Sequence, residues 1–392
     1  MKCVQSTKIG LSIVGFLSLS PFALADAPEP YPVKGQIIQE LKVFDNPEGA
    51  IFSEDGKYVF VSNAAELGKP DKGFHWTQGE GYVSKLEVQS DGALKMVKEK
   101  LVTGLTAPLG MAVNPVATRR FPKGAIFLCS AASPLATAAG EHIKDAGHAQ
   151  PAIVVFDPNG VVLGQIKMGF DSTFWKKTKA IATLPNAIGF DKEGNLYIAD
   201  TAIGGAAYEP ASVTASGIWM VPHDSIDPIA NGWDADVHFV AMPEGGPDGM
   251  EVAPDGSVHT NTVGAVAGMK DPAEGGMYKL TKQDFMAGRL PEPFAKGLGA
   301  LDGLVFAGNV RLDTEIKNTN SIIVTPPDGK PMMLMLDKAD KKFGGPADIA
   351  VRKMDDGSYL LVIPELSATS PNNKDNAVTV VKLPANFDKA MQ

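Results

Sequence analysis

The chain has 392 residues, and its 45 Asp and Glu residues outnumber its 36 Lys and Arg residues, which gives a formal net charge of −9. This acidic balance argues against nucleic acid or an anionic membrane surface as the partner, and it suits a protein that handles cations or small molecules. The two cysteines are Cys3 and Cys129. Loss of the first with an N-terminal signal would leave no intramolecular disulfide and one thiol, which we expect to be buried and inert.

The N-terminus has the pattern of an export signal. Lys2 and Lys8 precede an apolar run from Ile9 to Leu24, and the Ala-Leu-Ala stretch at 23–25 provides a small-residue cleavage site. We predict that residues 1–25 are a cleaved signal peptide and that the protein is secreted or periplasmic; an uncleaved anchor is the alternative. No later stretch is long and apolar enough to span a bilayer, so no membrane span is expected after cleavage.

One sequence unit recurs along the rest of the chain. It has a polar or small residue beside Gly or Pro, an apolar strand, a turn of the Asp-Gly type and a second apolar strand. The six copies begin at Asn46, Ala107, Leu184, Gly246, Ala300 and Gly345. Further strand-like runs follow the copies, for example 81–88 and 217–222. Four strands per unit, six units and no long amphipathic helix predict an all-β, six-bladed β-propeller with four-stranded blades.

The segment before the first copy is predicted to complete the ring of blades. Residues 26–35 (DAPEPYPVKG) form a Pro-rich lead-in, and QIIQELKVF at 36–44 has the pattern of a strand. We expect this N-terminal strand to become the outer strand of the last blade and so to close the ring. Residues 36–392 are accordingly predicted to form a single propeller domain.

Two kinds of position with acidic residues recur among the units. The first kind lies in the turn between the two strands, as in Asp55-Gly56, Asp255-Gly256 and Asp356-Gly357. A tight reversal with a positive φ explains these residues. The second kind opens the first, innermost strand. The six residues at this position are Glu48, Leu109, Asn186, Asp248, Asp302 and Asp348.

The second set predicts a cation site. Turn geometry explains Asn or Asp at any one position but does not explain Glu48. If the blades point these residues at one axis, four carboxylates meet in a narrow channel and repel one another unless a cation lies between them. Oxygen ligands without Cys or His favour a hard cation. Ca²⁺ tolerates irregular geometry better than Mg²⁺, although another divalent cation also suits this set. Solvated turn residues around a wet channel are the alternative.

Further candidates lie near this predicted face. Additional channel ligands, or a second layer around the ligands, are expected at Asp302, Asp348, Asp200 and Asn261. The last two lie at the predicted ends of second strands, so capping of those strands is their alternative role. Long connections are expected on the same face and typically shape a pocket. The candidate pocket residues in them are His75, Trp76, His142, Trp175 and Tyr208, for each of which loop packing is the alternative. His259, in a second strand, faces the channel or packs between blades.

Three stretches resemble a known superfamily. PEGAIF (47–52), LPNAIGFDKEGNLYIADT (184–201) and GPDGMEVAPDGSV (246–258) are similar to the calcium-dependent six-bladed propellers of the gluconolactonase and senescence marker protein (regucalcin) group. The resemblance implies that Glu48, Asn186 and Asp248 ligate the metal and that Asp248 is the general base. Leu109 departs from the pattern, since many members have an Asn-Asp pair after an Arg in the second blade.

Two classes of function follow from these observations. The leading hypothesis is an exported, calcium-dependent hydrolase of the lactonase or esterase type, in which the metal polarises the carbonyl of a small-molecule substrate and Asp248 activates water. The alternative is a non-catalytic periplasmic propeller that binds a ligand or a protein and uses the metal structurally; the apolar Leu109 favours it slightly. A redox propeller with a quinone cofactor fits poorly, because such sites usually need cationic residues around the cofactor.

Overall fold

The computed structural model describes residues 28–65, 79–131, 151–170, 172–180, 182–202, 216–242, 246–264, 275–338, 342–366 and 376–390. The predicted signal peptide lies outside the described residues, as do His75, Trp76, His142 and Tyr208. Strands dominate the described part. No helix in it is long and apolar enough to cross a membrane.

Four sheets have the predicted form of four consecutive antiparallel strands. Sheet I contains β2 (Pro47–Phe52), β3 (Tyr58–Asn63), β4 (Gly81–Val88) and β5 (Leu94–Leu105). Sheet II contains β6 (Pro108–Val113), β7 (Ile126–Ser130), β8 (Ala152–Phe156) and β9 (Val162–Lys167). Sheet III contains β10 (Pro185–Phe190), β11 (Leu196–Asp200), β12 (Gly217–Val221) and β13 (His238–Ala241). Sheet IV contains β14 (Pro247–Val252), β15 (Val258–Thr262), β16 (Gly276–Leu280) and β17 (Ala295–Lys296).

The remaining strands form one eight-stranded sheet, sheet V, rather than two separate blades. Its order is β18-β19-β20-β21-β1-β24-β23-β22. The bounds of these strands are β1 (Pro30–Leu41), β18 (Leu301–Ala307), β19 (Val310–Glu315), β20 (Ser321–Thr325), β21 (Met332–Leu336), β22 (Ala350–Lys353), β23 (Tyr359–Glu365) and β24 (Ala377–Leu383). The two halves are joined because β1 pairs parallel with β21 and antiparallel with β24.

The N-terminal strand therefore lies beside the last strand of the chain, as the sequence predicts. It begins earlier than expected, at Pro30, because residues of the Pro-rich lead-in pair with β21. Tyr31 shows why this end is held in place: its side chain is buried, its ring packs 5.0 Å from that of Phe387, and its hydroxyl donates to the Phe387 carbonyl at 2.9 Å. Phe387 begins a short 3-10 helix, Phe387–Lys389.

The first strands of the repeats contact one another in a closed circuit that runs β2, β6, β10, β14, β18, β22 and back to β2. Glycines permit this close approach. A Cβ on Gly49 would lie 2.3 Å from the Leu109 carbonyl oxygen, and one on Gly249 would lie 2.1 Å from that of Asp302. The Asp348 amide closes the circuit by donating to the Glu48 carbonyl at 3.1 Å. The described residues thus form an all-β, propeller-like fold whose first strands surround one centre.

Apolar side chains fill the spaces between adjacent sheets. Phe60 of sheet I meets Phe156 of sheet II, and Phe127 of sheet II packs edge-on against Phe190 of sheet III with ring centroids 5.0 Å apart. The helices of the described part are short: α1 (Thr173–Thr178), α2 (His223–Ala230) and α3 (Lys282–Ala287). Each is less than three turns long, which agrees with the absence of long helical periodicity in the sequence.

Candidate functional site at the centre of the first strands

The residue predicted to face the centre lies at an irregular point in five of the six first strands. In β2, β6, β10, β14 and β18 it is the second residue of the strand, and the pairing with the second strand shifts across it, as between Pro47 and Ala50. Such irregularities re-aim side chains and leave amides unpaired. The freed amides have side-chain acceptors instead: the Gly49 amide donates to Ser62 Oγ at 2.7 Å, and the Gly249 amide donates to Asn261 Oδ1 at 2.8 Å.

Asn186 and Asp248 are in direct contact. The Asn186 side-chain amide donates to Asp248 Oδ1, which joins β10 to β14 across the boundary between sheets III and IV. Thr201 lies beside both, since its hydroxyl is 3.2 Å from Asn186 Nδ2 and 3.3 Å from Asp248 Oδ1. All three side chains are buried. The structure therefore brings together two of the three predicted metal ligands and adds a hydroxyl that the sequence did not single out.

Glu48 and Asp348 occupy the point where the circuit closes. Asp348 Oδ2 accepts from the Ala50 amide at 3.3 Å, and its Oδ1 accepts from the Ile349 amide at 2.8 Å. Glu48 is 3% exposed, and its Oε2 has no hydrogen-bond partner among the described residues. Burying a carboxylate oxygen without a hydrogen-bond partner costs folding free energy, and an ordinary solvated turn residue does not incur this cost.

Electrostatics show that the carboxylates share one environment. Burial raises the pKa of Glu48 well above its usual range, and Asp302, Asp348 and Asp248 raise it further. Burial also raises the pKa of Asp302, with added repulsion from Asp248 and Asp348. Burial raises the pKa of Asp248 to about 8, with repulsion from Asp348 adding to it and the Thr201 hydrogen bond opposing it. These carboxylates therefore influence one another electrostatically, whereas their predicted convergence on one cation stays a prediction.

Glu251 is a further acidic residue of this environment that the sequence analysis missed. Burial raises its pKa to about 7, and Asp348 contributes, although the side chain is partly accessible. It follows Asp248 by three residues on β14, where the other first strands carry apolar or small residues. The signal available in the sequence was an acidic residue at a strand position that is apolar or small in the other first strands.

The donor chemistry of the centre fits a hard divalent cation, although three acidic ligands do not converge on one point. No three His, Cys, Asp or Glu side chains in the described part of the chain form a group that could hold a metal ion. The set of Glu48, Asn186 and Asp248 has two acidic members and one amide. A cation bound between oxygen ligands would give the unpartnered Glu48 oxygen a partner, and it would lower the raised pKa of Asp248. The metal therefore remains a proposal.

Asp200 and Asn261 both accept hydrogen bonds from backbone amides near the candidate ligands. Asp200 Oδ1 accepts from the Leu184 amide at 2.7 Å, and its carboxylate also accepts from the amides of Thr183 and Ala202. Burial raises its pKa to about 7 in spite of these bonds. Asn261 accepts from the Gly249 amide and donates to Asp313 Oδ1 at 2.9 Å. Asp200 thus caps the start of β10, whereas Asn261 lies within β15 and links Gly249 to Asp313; their place around the candidate ligands stays a prediction.

Other candidates also have structural positions. Trp175, on α1, packs against the apolar cluster around Phe174, with its ring 5.7 Å from that of Phe170. His259 lies between sheets IV and V, with its ring centroid 5.1 Å from that of Phe306. Cys129 is buried and unpaired, as expected. Asp255 belongs to a hairpin turn, where it accepts from the Ser257 amide and pairs with Lys279 at 2.8 Å.

Five of the second-to-third-strand connections begin and end at the edge where the candidate ligands lie. Asn63, at the end of β3, pairs with Pro47 beside Glu48, and Asp200, at the end of β11, pairs with Pro185 beside Asn186. The connections are those between β3 and β4, β7 and β8, β11 and β12, β15 and β16, and β23 and β24. Most residues of these connections lie outside the described part of the chain, so their predicted contribution to a pocket stays a prediction.

Solved structures match the chain in fold, whereas no family model and no curated protein matches it. A gluconolactonase from Xanthomonas campestris has a TM-score of 0.52 and 12% identity, with 91% of this chain and 97% of that chain covered. The soluble aldose sugar dehydrogenase from Escherichia coli, in its apo-form, has a TM-score of 0.52 and 12% identity, with 90% and 99% covered. The predicted resemblance to gluconolactonase propellers is therefore confirmed as a shared fold. Because a dehydrogenase shares it equally, the chemistry must be argued from the site.

Proposed function

We propose that this protein is a metal-dependent hydrolase of the lactonase or esterase type, with a divalent cation, Ca²⁺ in the first instance, held by Glu48, Asn186 and Asp248. The observation that supports it is a set of buried carboxylates that raise one another's pKa values and include one unpartnered oxygen. Carboxyl groups buried together in this way either take up protons or share the positive charge of a bound cation, and the proposal assigns them the cation.

The roles of the protein groups follow from their hydrogen bonds. When bound, the cation would polarise the substrate carbonyl and stabilise the oxyanion that forms on it. Asn186 holds Asp248 through its amide nitrogen, which leaves the amide oxygen as its ligand atom. Thr201 donates to the same Asp248 oxygen or to the Pro247 carbonyl at 3.0 Å, so it fixes the orientation of the carboxylate.

Asp248 is the proposed general base. It would take a proton from water as the water oxygen attacks the carbonyl carbon, and it would return that proton to the alkoxide when the acyl–oxygen bond breaks. With its pKa at about 8, the carboxyl group would be protonated at neutral pH and unable to act. A neighbouring positive charge lowers that pKa, so the proposed cation is needed for the base as well as for the carbonyl.

The substrate class follows from the chemistry of the centre and is supported by the fold. A carbonyl oxygen is the group that a hard cation polarises, and ring-opening or ester cleavage needs no redox cofactor. The Xanthomonas campestris neighbour is a gluconolactonase, which supports a lactone as the first substrate to examine.

We also propose that β18–β21 and β22–β24 with β1 act as two blades of a six-bladed propeller, and that the protein is exported through residues 1–25.

A non-catalytic binding propeller is the second candidate. Leu109 is buried at the position where the other members of the set have oxygen-bearing side chains. One sixth of the centre is therefore apolar, which suits a structural cation and a bound ligand that is not turned over.

Metal content and turnover measured on one preparation separate these candidates. We expect the purified protein to contain about one Ca²⁺ per chain and to open lactones or aryl esters from a broad panel in a chelator-sensitive way. The Asp248→Asn variant should keep its fold and lose turnover, whereas Asp255→Asn, which alters a hairpin aspartate, should keep both. Metal binding without turnover of any panel member favours the binding propeller. Absence of both metal binding and turnover contradicts the proposal.

A further inference from the structure

A cavity of about 260 Å³ lies between sheets IV and V, at the turn end of the strands. Its lining includes His259, Arg311, the aromatic walls Phe294 and Phe306, and the half-exposed Lys279. The turn containing Asp255 also borders it, so it is separated from Asp248 by the length of β14, roughly 16 Å at the usual rise per strand residue. The cavity is therefore distinct from the carboxylate centre.

The aromatic walls are held in place although one of them is exposed. Phe294 is 51% exposed, which is unusual for a large apolar side chain, and its amide donates to the Met277 carbonyl at 2.9 Å. The His259 ring lies 6.1 Å from that of Phe294 and 5.1 Å from that of Phe306, both near-perpendicular. Exposed aromatic surface beside a formed concavity is typical of a ligand site.

Arg311 fixes the tautomer of His259. Its guanidinium binds Asp313 through two bonds, Nε to Oδ2 at 2.8 Å and Nη2 to Oδ1 at 2.7 Å, and its Nη1 lies 3.3 Å from His259 Nδ1. Arginine can only donate, so Nδ1 is the acceptor and the proton of the neutral ring is on Nε2. Burial, with Arg311 and Lys279 nearby, lowers the pKa of His259 to about 3. His259 thus offers a fixed N–H donor across the physiological pH range.

The charges around the cavity balance, but one of its two cationic groups can be freed for an anion. Arg311 and Lys279 are the cationic members of its lining and Asp255 is the acidic one, while Asp313 lies behind Arg311. Lys279 is half-exposed and its contact with Asp255 is a surface ion pair, which costs little to rearrange. Its ammonium group is therefore available to a ligand carboxylate at the edge, while the aromatic walls suit a planar ring.

We propose that this cavity binds a small aromatic carboxylate, with the ring between Phe294 and Phe306 and the carboxylate at Lys279 and the His259 N–H. The volume accommodates a ligand of about ten non-hydrogen atoms, for which a dissociation constant of about 1 mM is the expected order. This inference does not depend on the proposed hydrolase activity.

Benzoate titrations followed by calorimetry or ligand-observed NMR test the proposal on the intact protein. Arg311 should be left unchanged, because its loss would leave Asp313 buried and unpaired. Phe294→Ala and Lys279→Ala should each weaken benzoate binding five- to tenfold. The matched control is Lys382→Ala, since Lys382 pairs with Asp356 at 2.8 Å in the equivalent turn of sheet V, as Lys279 does with Asp255.

Two comparison ligands separate the contributions of ring and charge. Benzyl alcohol keeps the ring without the carboxylate, and cyclohexanecarboxylate keeps the carboxylate without the aromatic ring; both should bind at least fivefold more weakly than benzoate. Saturable benzoate binding that is weakened by Lys279→Ala and unaffected by Lys382→Ala supports the site. No saturable binding, equal effects of the two lysine substitutions, or equal binding of the three ligands would overturn it.

Discussion

Asn186 and Asp248 are 62 positions apart in sequence, yet the amide of the first donates directly to the carboxylate of the second. Each is the second residue of the first strand of its sheet, and the close approach of β10 and β14 brings them together. The bond uses the amide nitrogen, so the two oxygen atoms that remain, one on each residue, are the ones available to a cation. The pair is the best-defined part of the candidate centre.

Replacing Asn186 by Asp tests whether a cation belongs between these residues. The change places a carboxylate against Asp248 and increases repulsion in the metal-free protein. We expect the melting temperature in chelator to fall by several degrees and to recover in Ca²⁺, so that the difference between the two conditions widens relative to the original protein.

Asn195→Asp is the matched control for that measurement. Asn195 donates to Asp191 Oδ2 at 2.7 Å in the turn between β10 and β11, so this variant also sets two carboxylates side by side, but away from the centre. Its destabilisation should be the same with and without Ca²⁺. Equal calcium responses of the two variants would argue against a cation at Asn186 and Asp248.

The pH dependence of metal-free stability follows from the raised pKa values. Asp248 titrates at about 8 and Asp348 at about 7 in the folded chain, whereas free aspartate titrates near 4. Between these values the folded state binds more protons than the unfolded state, so stability is greatest below the unfolded pKa and falls as pH rises through the folded pKa. We expect the free energy of unfolding in chelator to decrease from pH 6.5 to 8.5 by at most about 1.4 kcal/mol per pH unit for each group.

The upper part of this window separates the carboxylates from His259. The lowered pKa of His259 makes stability fall as pH drops through about 6.5 towards 3, which is the opposite direction. Above about pH 7.5 this residue is almost wholly neutral in both states. Asp248→Asn should flatten the pH slope in chelator, and saturating Ca²⁺ should flatten it in the original protein, whereas Asp255→Asn should leave it unchanged. A slope unaffected by Asp248→Asn would show that other groups dominate.

Repeat alignment recovered the candidate centre because each unit repeats its turn chemistry at the same place. Asp248 and Asp302 became comparable only once their strands were aligned, and Glu48 stood out since no turn requires Glu. The same alignment misplaced Asn261 by one position. Thr262, and not Asn261, pairs with Pro247. Asp248 and Gly249 are left out of the regular pairing between β14 and β15, and the sequence alone does not reveal this irregularity. A short helix such as α2, eight residues long, gives too few turns for periodicity to detect.

Sheet V shows what pairing adds beyond local pattern. Strand propensity and turn residues predict its individual strands. The parallel pairing of Pro30 with Met333, however, joins residues about 300 positions apart, and it depends on how the closed circuit of first strands places the two chain ends. Glu251 was missed for a related reason: its significance depends on Asp348, which lies nearly a hundred residues away in sequence.

The glycines beside the candidate ligands should be intolerant of alanine. A Cβ at Gly249 would meet the Asp302 carbonyl oxygen at 2.1 Å, so the first strands of sheets IV and V would have to separate. We expect Gly249→Ala to cost about 2–3 kcal/mol of stability and to weaken Ca²⁺ binding, as measured by denaturant unfolding and calorimetry.

Gly189→Ala provides the comparison on another first strand, β10. The nearest atoms to a Cβ there are at 3.7 Å, an ordinary contact. This substitution should leave stability within about 0.5 kcal/mol, the usual range where no special feature is disturbed. Equal costs at the two positions would mean that strand propensity, and not close backbone approach, determines the effect.

The buried pair of Arg311 and Asp313 should be essential to the boundary between sheets IV and V. Both side chains are at most 3% exposed, and Asp313 also accepts from Asn261, which holds the Gly249 amide. Asp313→Ala would leave the guanidinium buried without its partner, at an expected cost of about 3–5 kcal/mol.

Replacing both residues, as Arg311→Met with Asp313→Leu, should recover most of the loss, because it removes both charges and keeps apolar volume. Lys382→Ala, which breaks an exposed pair, should have a far smaller effect. Denaturant unfolding of the three variants measures these differences, and a double variant no more stable than Asp313→Ala would show that the hydrogen bonds to Asn261, and not the unpaired charge, account for the cost.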